Sequence, residues 1–343
     1  MTKNFRLSHL VAAAAIAVSA VSLSPKEAAA ETVLTYAPWL PASYVLHTEV
    51  WKPWAEEVAK VTEGRVKIEF LPKAVGSPTV QFDVVRDGGS DIVVGITGYT
   101  PGRYVPEELG EMPLLSSDVA DLSPAFYEIY QKYMASTKPF ENGHVITIFS
   151  TTPTFLATTK PIKTIDDLKG LKLRAQSAAA IPIIQALDAV PVQKPVSELY
   201  ELMSSGILDG SFLAFQPILG WKLQDVLKYV TVIKGGMGQS VMAMVVNQDK
   251  WNAIDEKDRA AIDKISGLAM AKQVGAAYAA AEIKARKDLE ANGNVITEAS
   301  PELVADIKKR LEPIEQDWVK RAKEKGMADP QAALNELRAN VGG

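Results

Sequence analysis

Side chains that could transfer protons or hold a metal are sparse in this sequence. The three histidines are His9, His47 and His144. They stand far apart, with neither an HExxH motif nor a Glu-x-x-His pair, the spacings that bring metal ligands onto one helix face. We therefore interpret His47 and His144 as structural residues, and we predict no metal site and no cofactor.

The motifs of nucleophilic and nucleotide chemistry are also missing. The chain has no cysteine, which excludes disulfides, thiol catalysis and Cys-ligated metals. It contains no GxSxG elbow, no P-loop and no GxGxxG fingerprint. The nearest approach, Gly235-Gly236-Met237-Gly238, follows a predicted strand but opens no helix, so we interpret it as a turn or hinge. The sequence predicts a protein that is not an enzyme.

Composition is that of a soluble globular protein. Of 343 residues, 47% are hydrophobic, 23% charged and 7% aromatic, which excludes disordered, fibrous and multi-span membrane proteins. The net charge of −4 argues against nucleic acid as a partner, because phosphate binding needs a concentrated excess of Lys and Arg. The length exceeds what one hydrophobic core supports, so we expect two domains.

The N-terminus has the three-part pattern of a secretory signal peptide. Lys3 and Arg6 are followed by an uncharged apolar stretch, Leu10 to Leu23, and by the small-residue cleavage pattern Ala28-Ala29-Ala30. The apolar stretch is shorter than the roughly 20 residues of a transmembrane span. We predict cleavage after Ala30, a mature chain of 343 − 30 = 313 residues, and a periplasmic location.

The elements that must position a site follow α/β patterns. Residues 33–36, 66–71 and 91–95 read as strands, and helices near 44–63 and 78–87 connect them. Alternation of strand and helix is typical of a parallel sheet with helical crossovers. A second α/β unit follows residues 151–154.

One stretch in the C-terminal half, Glu256 to Ala291, is helix-compatible throughout. If unbroken, it would form a helix on the order of 50 Å long. A helix of that length is longer than one small domain, so we expect it to lie across two domains.

Three stretches carry motifs in a fixed order along nearly the whole chain after residue 30. They are Trp51–Val58 continuing to Gly64–Ile68, Gly98–Tyr104 with Glu111–Leu114 shortly after, and Thr164–Arg174 followed by Ala189–Val192, Glu198–Tyr200 and Gly206–Gly210. The ordered set resembles the extracytoplasmic solute-binding proteins of tripartite ATP-independent periplasmic (TRAP) transporters, the dicarboxylate-binding-protein-like (DctP) family.

This resemblance implies an α/β fold of two domains in a Venus-flytrap arrangement, with mixed sheets, an interdomain ligand cleft and a long domain-spanning helix. We assign residues 31–150 and about 240–275 to domain I, and residues 151–239 and about 276–343 to domain II. Such proteins close on an organic acid and present it to a membrane permease. The implied partners are therefore a small organic acid and the TRAP permease subunits, and we expect a monomer.

The resemblance also maps the family's carboxylate-binding arginine onto Arg174, at the end of the Leu-Lys-Leu-Arg strand. A guanidinium in a cleft offers two parallel N–H donors to a carboxylate. Less specific cleft positions are Pro38, Trp39 and Tyr99. Thr154 lies where several family members place a polar or cationic second anchor. Gln176 and Gln239 complete the polar part of the predicted site.

Departures from the family pattern predict the class of ligand. After Asp209-Gly210, dicarboxylate and sialic-acid types commonly carry a Gln-Glu-Asn-like stretch, whereas this chain reads Ser-Phe-Leu-Ala-Phe-Gln. Aromatic side chains would then wall the cleft; these are Trp39, Tyr99, Phe155, Phe212 and Phe215. One strong cation with few polar donors favours a hydrophobic or aromatic monocarboxylate, because unpaired polar groups are costly to bury. At least two of these aromatics are expected to belong to the core instead.

Two other functions stay open. A receptor of an ATP-driven importer shares the two-domain cleft but usually not this ordered motif set. A periplasmic hydrolase or isomerase on an α/β scaffold would need a nucleophile–base pair or a metal site.

Overall fold

A computed structural model of the chain describes residues 31–342. The predicted signal peptide and its cleavage after Ala30 lie outside these residues and stay a prediction. None of the helices in the described part of the chain is both long and apolar enough to cross a bilayer.

Strands and helices alternate along most of the described chain. The strands are β1 (Thr32–Tyr36), β2 (Val66–Phe70), β3 (Ile92–Ile96), β4 (Gly143–Ser150), β5 (Phe155–Thr158), β6 (Lys172–Ala175), β7 (Val190–Gln193), β8 (Gly210–Leu213), β9 (Tyr229–Val232), β10 (Val241–Asn247) and β11 (Val295–Glu298). The helices are α1 (Lys52–Val61), α2 (Gln81–Arg86), α3 (Val119–Tyr133), α4 (Ala180–Ala186), α5 (Leu199–Ser204), α6 (Phe215–Gly220), α7 (Gln248–Ala253), α8 (Glu256–Ile265), α9 (Gly267–Ala291), α10 (Pro301–Glu324) and α11 (Pro330–Asn340).

The first sheet has five strands in the order β2-β1-β3-β10-β4. β1 pairs in parallel with β2 and β3, as the strand–helix alternation predicts. β10 joins from far along the chain and runs antiparallel to both β3 and β4. All seven residues of β10 are buried, as expected for a strand covered on both faces. This sheet and the elements packed on it form what we call the first lobe.

The second sheet has six strands in the order β11-β9-β5-β8-β6-β7. β8, β6 and β7 run parallel to one another, whereas β5 is antiparallel to both β8 and β9. This sheet and its helices form the second lobe. Two mixed sheets with helices confirm the predicted fold class.

The helix-compatible stretch from Glu256 to Ala291 is helical but bends at Ser266. There the backbone is extended, and the next residue, Gly267, has a φ of +54°. Beyond the bend, Met270 and Val274 of α9 pack in the first lobe, and Leu289 packs in the second. The helix therefore spans both lobes, as expected.

The C-terminal helices also contact both lobes. Leu303 and Ile307 of α10 pack with the second sheet, whereas Trp318 packs in the first lobe together with Leu334 of α11. The residue ranges assigned to the two domains stay a prediction.

Candidate ligand-binding site

Arg174 is a buried cation that forms no ion pair with any other of residues 31–342. It is the third residue of β6, and it is 2% exposed. Its Nε donates a hydrogen bond to the carbonyl of Lys194 (2.7 Å), and its Nη2 donates to the hydroxyl of Tyr99 (3.3 Å). Burial lowers the pKa of Arg174, an effect that Tyr99 opposes. No carboxylate of the described residues forms an ion pair with this guanidinium, which leaves donors free for an anion.

A small cavity lies beside Arg174 and is lined from both lobes. Its volume is about 60 Å³, room for a few waters at ~10–15 Å³ each. Most of the predicted site residues line it: Trp39, Tyr99, Thr154, Arg174, Gln176 and Phe212. The structure therefore brings residues from separate parts of the chain to one concave site that holds only a small molecule.

Aromatic rings from the two lobes face each other across this cavity. Trp39 follows β1 in the first lobe, where its Nε1 donates to the carbonyl of Val94 (2.6 Å). Trp221 follows α6 in the second lobe, and its ring stacks on that of Trp39 with a centroid distance of 6.4 Å and an interplanar angle of 26°. The ring of Tyr99 lies 6.4 Å from Trp39 on a tilted plane. These rings give the cavity the flat walls that suit an aromatic ligand.

The hydroxyl of Tyr99 connects the lobes. It accepts the hydrogen bond from Arg174 and a second one from the backbone N–H of Val196 (3.1 Å). Tyr99 belongs to the segment after β3, whereas both donors belong to the second lobe. Burial raises the pKa of Tyr99, so its own proton is retained and can be donated to a bound anion.

Gln176 offers a second polar group to the cavity. It lies two residues after Arg174, a spacing that places both side chains on one face of extended chain. Gln176 is 3% exposed, and its Oε1 is buried without a hydrogen-bond partner. A buried polar atom of this kind is normally satisfied, so a bound ligand or water is its natural partner.

Four predicted site residues do not line the cavity. Phe155 and Phe215 pack against each other with their rings 5.0 Å apart, in the core of the second lobe. The fully buried Gln239 donates from Nε2 to the carbonyl of Gly110. Pro38 precedes Trp39 without itself lining the cavity.

Three aromatic residues line the cavity without having been predicted: Tyr44, Trp221 and Tyr278. Tyr278 is the one aromatic residue within α9, in an alanine-rich stretch. An isolated large aromatic in such a helix is a signal for a special contact. Trp221 directly follows Gly220 at the end of α6, and nothing in its local pattern distinguishes it from a core residue.

The histidines have structural contacts. His47 is 2% exposed and lies 3.1 Å from the hydroxyl of Tyr36, and His144 stacks on Trp251 with ring centroids 4.2 Å apart. Burial lowers the pKa of both histidines. Within residues 31–342, no group of three or more His, Asp and Glu side chains is arranged to hold a metal ion.

Comparisons with known proteins cover both lobes. Residues 36–322 match the family model of the bacterial extracellular solute-binding proteins, family 7 (DctP). The outer membrane transporter protein TsaT of Comamonas testosteroni is 30% identical over 293 residues, which is 84% of this chain and 86% of TsaT.

Two solved structures are similar over almost their whole length. A TRAP periplasmic solute-binding protein of Bordetella bronchiseptica, with bound (R)- and (S)-mandelate, has a TM-score of 0.87 and 32% identity, covering 90% of this chain and 98% of that chain. A TRAP solute-binding protein from an unidentified marine microbe, specific for aromatic acid ligands and in complex with 3-hydroxybenzoate, has a TM-score of 0.84 and 28% identity. That match covers 91% of this chain and 98% of the marine protein.

Proposed function

Because this chain belongs to the bacterial extracellular solute-binding proteins of family 7, we propose that it binds an aromatic or other hydrophobic monocarboxylate between its lobes. The family and its solved TRAP members are solute-binding receptors rather than enzymes. Membership therefore removes the periplasmic hydrolase or isomerase. The TRAP relatives likewise favour a TRAP transporter over an ATP-driven importer.

The observation that carries this proposal is the buried guanidinium of Arg174, which has no counterion in the part of the chain that the structure describes. An uncompensated charge away from water is costly. A ligand carboxylate supplies the missing charge, and the low dielectric of the site strengthens the pair. The hydroxyl of Tyr99 and the amide of Gln176 lie in the same cavity and complete the polar surroundings of the anion.

The walls of the cavity support an aromatic body for the ligand. Trp39 and Trp221 present flat apolar faces from the two lobes. The similar structures bind mandelate and 3-hydroxybenzoate, each an aromatic ring with one carboxylate. A sugar acid would leave several hydroxyls without partners against these rings, at a cost for each one.

Ligand capture would proceed by closure of the two lobes. Donors from the second lobe meet Tyr99 of the first lobe only when the lobes are in contact. The crossing segment between β9 and β10 contains Gly235, Gly236 and Gly238, all with φ between +77° and +95°. Glycine adopts such angles without strain, which suits a segment that changes its backbone during opening.

In the cell, the protein would be exported with cleavage after Ala30 and would deliver its ligand as a monomer to the TRAP permease subunits. Mass spectrometry of protein exported from the full-length gene tests the first step. A mature chain that begins at Glu31 is expected. A chain that retains residues 1–30 would contradict export by a cleaved signal peptide.

Titration calorimetry tests the function directly. The mature protein is unfolded and refolded to remove carried-over ligand, then titrated with benzoate, mandelate, succinate and a sialic acid. Benzoate and mandelate are expected to bind, and Arg174→Met is expected to lose at least 100-fold in affinity. Arg174→Lys should recover only part of it, because an ammonium lacks the planar fork of donors.

Arg286→Met is the matched control. It removes the same charge from the second lobe, where Arg286 lies 5.6 Å from the ring of Phe215 and outside the cavity. Its affinity should equal that of the wild type. Thermal unfolding of each ligand-free variant separates a binding defect from misfolding. Unchanged benzoate affinity in folded Arg174→Met would refute the proposed carboxylate site.

A further inference from the structure

The cavity has a second polar region, formed by Tyr44 and Tyr278, that a carboxylate on Arg174 does not use. Tyr44 lies in the turn before the first helical segment, and Tyr278 lies in α9. They are 6% and 1% exposed, and both line the cavity. Their hydroxyls interact with each other. Among the described residues, no backbone group hydrogen-bonds to either hydroxyl.

Such a pair retains hydrogen-bonding capacity. Each phenol hydroxyl has one donor and two acceptor sites, so one bond between them leaves a hydrogen and several lone pairs unused. Burial raises the pKa of both tyrosines, so both stay protonated and neutral. Because buried polar groups normally find partners, a cavity occupant with a hydroxyl group is more favourable here than one without.

The tyrosine pair lines the cavity from other elements than Arg174. The register of β6 and β8 pairs Arg174 with Ser211, and the cavity extends along β8 to Ala214. The three steps from Ser211 to Ala214 cover ~10 Å of backbone at ~3.3 Å per residue. Helix α6 begins after Ala214, and its last residue, Gly220, lies against the ring of Tyr44, since a Cβ there would be 3.3 Å from that ring.

Glu282 joins α9, the helix of Tyr278, to the start of α6. It lies one helical turn after Tyr278 on α9, and its carboxylate accepts hydrogen bonds from the backbone N–H groups of Phe215 and Gln216 (2.9 Å each). These bonds hold the start of α6 against α9. Arg174 on β6 and the tyrosines beside α6 and on α9 line the same cavity, so a ligand bound to Arg174 can present a ring substituent to the tyrosines.

We propose that Tyr44 and Tyr278 select an aromatic acid that carries a hydroxyl on its ring, at the meta or para position. This inference rests on the proposed function and specifies its ligand further. A ring hydroxyl donates to and accepts from the tyrosine pair while the carboxylate binds Arg174. A hydroxyl on the carbon beside the carboxylate, as in mandelate, lies at the Arg174 end and does not reach the pair.

Matched ligands test this selection by calorimetry. Wild-type protein is titrated with benzoate, 3-hydroxybenzoate, 4-hydroxybenzoate, phenylacetate and mandelate. At least one hydroxybenzoate is expected to bind 10-fold or more tightly than benzoate. Tyr278→Phe and Tyr44→Phe should reduce that ratio to near unity, and the ratio is compared within each variant so that any change in its affinity for benzoate itself cancels. The mandelate-to-phenylacetate ratio should not change in either variant.

Tyr104→Phe is the control, because the Tyr104 hydroxyl is buried without a partner in the first-lobe core and outside the cavity. It should keep the wild-type ratio. Equal affinities for benzoate and both hydroxybenzoates would overturn the hydroxyl selection and leave the proposed function standing. A hydroxybenzoate-to-benzoate affinity ratio that is unchanged in both tyrosine variants would do the same. Failure of every aromatic acid to bind would overturn both.

Discussion

Gly98 of the first lobe lies against Ser177 of the second so closely that a methyl group on Gly98 would stand 2.2 Å from the Ser177 Cβ. The Gly98 carbonyl also accepts hydrogen bonds from the backbone of Ala178 (3.2 Å) and from Nε2 of Gln193 (3.1 Å). Contact between the lobes at this point therefore requires the absence of a side chain.

Gly98→Ala is expected to weaken ligand binding at least 10-fold, because the added methyl group keeps the lobes apart. Small-angle scattering should show a smaller compaction with benzoate than in the wild type, and calorimetry should show the loss of affinity. The double variant Gly98→Ala/Ser177→Gly removes the opposing Cβ and should recover part of both, since the methyl group still lies 2.9 Å from Oε1 of Glu111. Wild-type compaction in Gly98→Ala alone would contradict closure at this contact.

Tyr99→Phe should raise the dissociation constant. The change leaves the buried N–H of Val196 without an acceptor and removes one partner of Arg174. An unsatisfied buried group costs about 1–3 kcal/mol, and about 1.4 kcal/mol corresponds to a 10-fold change in affinity. Tyr104→Phe, which removes a hydroxyl without a partner, should have no effect by the same calorimetry. Equal affinities in the two variants would argue against a role for the Tyr99 hydroxyl.

Glu111 should make stability depend on pH. It is 1% exposed, its Oε1 accepts from the backbone of Val241 (3.2 Å), and its Oε2 has no partner. Burial, with a smaller effect of Glu108, raises its pKa to about 8. The folded protein therefore holds a proton that the unfolded chain releases near pH 4.5, the ordinary value.

It follows that the contribution of Glu111 to stability is fully present below about pH 4.5 and is lost as the pH rises to about 8. The expected slope is about 1.4 kcal/mol per pH unit in this window. Between pH 5 and pH 8, urea unfolding should show a smaller decline in the free energy of unfolding for Glu111→Gln than for the wild type. Glu107 and Glu282, whose pKa values burial also raises, are common to both proteins. If the free energy of unfolding declined equally with pH in Glu111→Gln and in the wild type, Glu111 would not be the source of the pH dependence.

Trp221→Ala should weaken binding of benzoate about 10-fold or more and remove much of the ligand-induced change in tryptophan fluorescence. The substitution deletes the second-lobe partner of Trp39 and opens one wall of the cavity. Tyr200→Ala, which removes a 50% exposed aromatic of the second lobe, is the control. Should Trp221→Ala bind benzoate like the wild type, the stacked wall would have no part in ligand recognition.

Local patterns were sufficient to predict the parallel part of the first sheet, since β1, β2 and β3 are joined by short helical connections. They could not predict that β10 inserts between β3 and β4, because that pairing joins residues about 100 or more apart in sequence. Neither do they reveal the bend at Ser266, which depends on how α9 packs.

The lining of the candidate site likewise contains residues that local sequence patterns indicate and residues that they do not. The family motif of the Leu-Lys-Leu-Arg strand indicated Arg174, and the position after a buried strand indicated Tyr99. Both line the cavity, and their part in ligand binding stays a prediction. Phe215 was expected to face the ligand, but the chain turns into α6 at this residue and carries its ring against Phe155. Tyr278 reaches the cavity through the packing of α9, and its local sequence shows only an isolated aromatic residue in an alanine-rich helix.

The uncompensated charge of Arg174 would also reduce how often such a receptor reaches its membrane partner in a closed form without ligand. If the lobes close as proposed with no anion inside, the guanidinium would be kept out of water without a counterion from residues 31–342, and the empty closed form would be rare. A membrane partner that recognises the closed form would then seldom bind a receptor that carries no ligand. Each additional ~1.4 kcal/mol by which the missing counterion destabilises the empty closed form lowers its population about 10-fold.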